Sequence, residues 1–177
     1  MNLKLIAPEL FVTKPHDLWA KRWLLLTAGD FKAAKFNTMT VAWGSFGTMW
    51  SLPFAMVVVR PSRYTYEFME QYDSFTLAAL PEKHRPAMQL LGTRSGRDGD
   101  KIAAAKLTPV ASGTVDAPSF AEAELVLECR KMYRDRMDPK GFIRDAVAAN
   151  YPGKRDYHAI YFGEILAIRG VAAYAGR

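Results

Sequence analysis

The chain has 177 residues, 50% hydrophobic and 24% charged, with 12 Gly and 10 Pro. That balance fits one folded domain over residues 1–177 and excludes a disordered or collagen-like chain, which could not bury enough apolar surface to offset its ordering entropy. Lys and Arg outnumber Asp and Glu by 24 to 18, for a net charge of +6, but the basic residues are interleaved with acids, as in Arg130-Lys131-Met132-Tyr133-Arg134-Asp135-Arg136, so no nucleic-acid partner is expected.

At the N-terminus, Pro8 and Glu9 interrupt the early apolar stretch, which leaves no secretion signal, and no apolar run approaches the roughly 20 residues of a membrane span. A cytoplasmic protein without a membrane partner is expected. Residues 23–30 read as a short buried strand closed by Gly29-Asp30, and 36–43 as a second strand through Met39, Val41 and Trp43, the two forming a hairpin. Residues 53–60 are the clearest strand, β-branched, continuous and so buried on both faces, with Pro61 ending it. Ser62 and Thr65 then offer capping hydroxyls to a short helix over 66–72.

Residues 75–80 read as the next strand and 81–91 as a helix with Met88 and Leu91 on one face. A polar, glycine-punctuated loop follows over 92–100, and Lys101 opens a short helix to 105. Two long strands, 124–137 and 157–168, flank a turn at 138–141 and a helix at 142–149. Cys129, the single cysteine, lies in the first of them, so it forms no internal disulfide and reads as a buried residue without chemistry. Strands outnumber helices and no βαβ alternation is sustained, so the fold class is mainly β with peripheral helices, a closed or partly closed antiparallel barrel.

Four stretches bear chemistry. Arg60-Pro61-Ser62-Arg63-Tyr64-Thr65 gathers two guanidiniums and two hydroxyls at a strand-to-helix step, the outline of a phosphate site; its plain alternative is a capped helix with solvated arginines. Ser95-Gly96-Arg97-Asp98-Gly99-Asp100-Lys101 lets backbone amides approach an anion and adds a lysine, yet lacks the Gly-Lys-Ser/Thr ending of a nucleotide P-loop; a solvated turn fits equally. In Asn37-Thr38-Met39-Thr40-Val41-Ala42-Trp43-Gly44, alternation places Thr38 and Thr40 on one strand face, where a planar heterocycle could lie, or where threonines simply serve β-propensity. His158, in Asp156-Tyr157-His158, stands at the mouth of a strong strand and serves either as a donor near a reacting ring or as a structural hydrogen bonder. Three scattered histidines and no paired-cysteine or HExxH spacing imply no metal.

Occurring together and in this order, these stretches, with Gly163-Glu164-Ile165 beyond the histidine, resemble the flavin reductase-like, flavoredoxin-type family over residues 23–168. The resemblance implies an FMN-binding split β-barrel, a homodimer with flavin sites at or near its interface. By motif, Asn37, Met39 and Thr40 would lie beside the isoalloxazine ring, Thr38 and Trp43 would be further cofactor-binding residues, Arg60, Ser62, Arg63 and Thr65 would hold the phosphate end, and Ser95 and Lys101 would complete the anion site. His158 would be the catalytic candidate, shaping a pocket for NADH or NADPH. The implied function is an oxidoreductase passing electrons from reduced pyridine nucleotide through flavin to free flavin or another acceptor. The alternative is an FMN-binding electron carrier reduced by a redox protein partner, favoured by Asp156-Tyr157-His158 in place of the Gly-Asp-His of dedicated NADH:flavin reductases.

Overall fold

A computed structural model describes residues 2–152 and 156–176. Strand β1 (Lys4–Ile6) is followed by a helical turn, α1 (Pro15–Asp17), that runs into a π-helical turn over Leu18–Arg22. Then come β2 (Leu24–Asp30), β3 (Lys35–Val41), β4 (Gly44–Met49), β5 (Leu52–Val59), α2 (Tyr64–Gln71) and β6 (Ser74–Ala79). Helices α3 (Arg85–Thr93) and α4 (Lys101–Ala104) precede the short pair β7 (Pro109–Val110) and β8 (Ser119–Phe120). Long strands β9 (Leu125–Arg136) and β10 (Ala159–Gly170) enclose α5 (Asp145–Ala148).

The main sheet runs β3-β2-β6-β9-β10-β5-β4, with β1 on the far half of β10. Every pairing in it is antiparallel. The two ends of this order, β3 and β4, are consecutive in the chain and joined only by Ala42 and Trp43, yet they are not paired. The sheet therefore curls almost into a barrel and stays open at one seam. The curl runs through β9 and β10, each 12 residues long, whose mutual register shifts at Phe162/Gly163 and Ile165/Ala167, irregularities that bend and twist strands.

Apolar runs rather than alternating patterns mark the central strands because both their faces are covered. Leu24, Leu26 and Ala28 of β2 point into the barrel with Phe75, Leu77, Leu127 and Cys129. Leu25, Ala78 and Val126 point outward beneath Met88 and Leu91 of α3. Met88 and Leu91 thus share one buried helix face, as their spacing predicts. Burial pushes the Cys129 thiol far above its ordinary range, in keeping with a packing role. Among the described residues no helix is long and apolar enough to cross a membrane.

Differences from the sequence reading have local causes. β4 went unseen because two of its six residues are glycine and its far half is exposed. It turns into β5 through Trp50 and Ser51, both at positive φ (53° and 59°), the paired left-handed geometry of a type I′ hairpin made without the usual Asn-Gly. Trp43 falls outside β3, in the seam. The helix expected over 142–149 is only Asp145–Ala148, and β10 begins after His158 and runs on to Gly170. Helix α2 starts at Tyr64 with Arg63 in the capping position and no side-chain cap, so Ser62 and Thr65 do not cap it.

Candidate functional site

At the seam, a groove of about 210 Å³ is lined by residues 39–43, Val58, Arg60, Arg63 and His158. One wall is the free edge of β3. Among the described residues that strand pairs only with β2, so backbone groups on its other edge have no ladder partner there and are available to the edge of a planar ligand. The side chains of the threonine face are already engaged. Thr38 is fully buried, accepting from Thr27 Oγ1 at 2.9 Å and donating to the Leu26 carbonyl at 3.1 Å, and Thr40 Oγ1 donates to the Met88 carbonyl of α3 at 2.5 Å. The hydroxyls of this face are thus turned to the protein's own groups, Thr40 still lines the groove, and the strand's free edge is the part left open toward it.

His158 forms the opposing wall, its ring 5.1 Å from that of Trp43. Its Nδ1 lies 2.7 Å from the Tyr151 hydroxyl. Burial and then the positive charge of Arg60 push its pKa down to about 4; Asp156 pulls the other way and Arg63 adds a smaller push downward. The imidazole is neutral at pH 7. Sequence inspection missed Tyr151, seven residues upstream in a segment with little regular structure, where no periodicity or motif marks it.

The cations divide into two kinds. Arg60 is committed: Nη2 donates to the Asn150 carbonyl at 2.8 Å, the guanidinium sits 4.9 Å from the Tyr151 ring centroid, and Asp156 is 3.9 Å away. The same carboxylate accepts from the Ser62 amide at 3.1 Å and the Ser62 hydroxyl at 2.7 Å. Arg63, by contrast, is exposed and forms no ion pair among the described residues. Its charge reaches both His158 and Lys101. Lys101 is 6% exposed, donates to the Leu91 and Arg94 carbonyls at 3.1 Å each, and has its pKa lowered to about 8 by burial and then by Arg63. Two neighbouring cations without a carboxylate partner among the described residues make an anion-attracting corner.

Asn37 and Lys101 line an adjoining cavity of about 680 Å³. The Asn37 amide donates to Thr65 Oγ1 at 2.7 Å, both residues being buried, which ties β3 to the first turn of α2. Ser95 Oγ accepts from the Arg97 amide at 3.1 Å, and Arg97 in turn pairs with Glu67 and covers the Tyr64 ring, anchoring the loop to α2. Gly96 is required there, since a Cβ would overlap Asn37 Oδ1. Ser62, Thr65, Thr38 and Ser95 line neither cavity, and Met39, Thr40, Trp43, Arg60, Arg63 and His158 meet in one groove.

The same fold occurs in solved structures. The FMN-binding domain of a flavin reductases-like enzyme from Shewanella baltica aligns with a TM-score of 0.68 at 18% identity, over 96% of this chain and 77% of that one. Flavoredoxin of Desulfovibrio vulgaris aligns at 0.66 and 21%, over 88% and 73%, and an NADH:FAD oxidoreductase of Streptomyces globisporus at 0.63 and 17%, over 87% and 78%. No curated protein matches the sequence. The open-seamed barrel is the split β-barrel, and the model of the flavin reductase like domain matches residues 20–175; the chain belongs to the flavin reductase-like family.

Proposed function

We propose that this protein holds FMN in the seam groove and works as an oxidoreductase, passing electrons from NADH or NADPH to free flavin or another acceptor. The observation that carries the reading is the juxtaposition of an unpaired strand edge, a neutral histidine and the Arg63–Lys101 corner. Such a set suits a planar heterocycle with an anionic tail. When bound, FMN supplies the hydride and single-electron chemistry that no side chain here provides. The backbone of residues 39–42 would orient the ring edge, Trp43 and Val58 would exclude water from it, and Arg63 with Lys101 would hold the phosphate. A groove of about 210 Å³ is smaller than the roughly 300–1,000 Å³ that encloses a ligand of this size. We assign its missing wall to a second copy of the chain.

Lys101 attracts phosphate only while protonated. With its pKa pushed down to about 8 in the flavin-free protein, affinity for FMN is highest below pH 8 and falls as pH rises through that value. The phosphate itself is already dianionic above about pH 6, so it does not contribute to the fall. Equilibrium titrations on either side of pH 8 check this, with riboflavin as the control that lacks a phosphate and should show no such fall.

Likeness to an NADH:FAD oxidoreductase supports the enzymatic reading, and likeness to flavoredoxin, together with Asp156 and Tyr157 ahead of His158, supports the carrier. Stopped-flow mixing of the FMN-loaded protein with NADH and with NADPH separates them. Bleaching of the flavin band by either donor is expected. A protein that stays oxidised with both, yet is reduced by a redox protein, is the carrier.

A further inference from the structure

We propose that Tyr151 is a positioning residue that fixes His158 as its Nε2–H tautomer, so that the groove wall presents a hydrogen-bond donor to a carbonyl or similar acceptor on the molecule stacked there. The identity of that molecule rests on the proposed function; the tautomer does not. Tyr151 is 7% exposed, and its hydroxyl has two neighbours among the described residues, His158 Nδ1 at 2.7 Å and the Met137 sulfur at 3.2 Å. A buried hydroxyl must place its proton on one of them. A thioether is a weak acceptor, whereas an unprotonated imidazole nitrogen at this distance is a strong one. Proton donation by Tyr151 to Nδ1 leaves the ring proton on Nε2, and Nε2 has no hydrogen-bond partner among the described residues.

The surroundings keep both partners in the required states. Arg60 and Arg63 face His158 from the end of β5 and the turn after it, Asp156 from the segment before it, and Trp43, uncharged, from the seam. The two guanidiniums outweigh the one carboxylate, so a second ring proton is disfavoured. Burial raises the Tyr151 phenol pKa, Arg60 lowers it and Asp156 raises it, for a net increase; the phenol therefore retains the proton it donates. The guanidinium of Arg60, 4.9 Å from the Tyr151 ring centroid, holds the ring in place. The result is a donor whose charge does not change across the physiological range, unlike an ordinary histidine, which titrates near 6.5.

Nitrogen NMR of flavin-free, 15N-histidine-labelled protein tests this directly, with the His158 signals identified by their loss in His158→Gln. Expected are a pyridine-like Nδ1 and a pyrrole-like Nε2, unchanged between pH 6 and pH 8. In Tyr151→Phe the two shifts should move toward each other as the tautomers mix. Met137→Leu, which removes only the competing sulfur, should leave the wild-type pattern and keeps the test usable if Tyr151→Phe does not fold. A pyrrole-like Nδ1 in the wild type, or an unchanged pattern in folded Tyr151→Phe, overturns the inference. Because no flavin is present, a failure to bind FMN would sink the proposed function while leaving this result standing.

Discussion

Replacing Arg63 with alanine is expected to weaken FMN binding by about 1.5–3 kcal/mol, roughly ten- to a hundredfold, the range for one charge-assisted hydrogen bond. Arg63 is singled out over Arg60 because Arg60 already has Asp156, the Asn150 carbonyl and the Tyr151 ring as partners, so removing it would disturb the groove itself. The exposed Arg63 side chain has no ion pair to lose among the described residues, and its removal should leave the melting temperature almost unchanged. It should also raise the pKa of Lys101, since Arg63 is one of the two causes holding that group down. Fluorescence titration of Arg63→Ala with FMN and with riboflavin checks the assignment. Equal losses for both ligands, or none for either, would remove Arg63 from the phosphate site.

Glu128→Ala should destabilise the fold by about 3–5 kcal/mol, the cost of breaking a buried charge network by deleting one partner. Glu128 is 1% exposed in β9. Its carboxylate accepts from the Gly113 amide at 3.0 Å, from the Thr114 amide and hydroxyl at 2.6 Å each, and from Arg169 Nε at 3.2 Å. It thereby pins the loop between β7 and β8 to the barrel. Burial alone would raise its pKa, but these hydrogen bonds outweigh burial and the net shift is downward. A depressed native pKa makes the contribution fully present above the unfolded value, near 4.3, and lost as pH falls through the native one. Urea unfolding at pH 7 should show the full loss, and Glu128→Gln, which retains the shape, a smaller one. A change below about 1 kcal/mol in Glu128→Ala would mean that the loop is held by other contacts.

Much of the barrel was legible because burial on both faces leaves a strong compositional trace. Residues 53–59, 75–79 and 125–127 are continuous apolar or β-branched runs; the second and third have side chains in both the inner and the outer cluster, and the first turns Ala55, Val57 and Val59 into the barrel. β4 left no such trace. It is an edge strand rich in glycine, and its position follows from the turn at Trp50 and Ser51 and from packing at Gly44, where a Cβ would overlap the Met56 carbonyl and the Trp19 ring. The seam between β3 and β4 could not be read from sequence because it is defined by a missing pairing between neighbouring strands.

The site divides in the same way. Motifs located the arginines, the lysine and the histidine, but they did not reveal which were free. Asp156 engages Ser62 and stands beside Arg60, and Asn37 engages Thr65, contacts across 94, 96 and 28 residues of sequence separation respectively. Tyr151 enters through a contact with His158 seven residues away, in a segment whose one α-helix among the described residues has four residues. Such pairings depend on how loops lie over the barrel, which local pattern does not encode.

The most direct test of the account is the visible spectrum of the purified protein before and after incubation with FMN, followed by gel filtration to remove unbound flavin. The predicted result is flavin absorbance co-eluting with the protein. A colourless protein peak, with all the flavin in the small-molecule fraction, would contradict the claim that the seam groove is a flavin site.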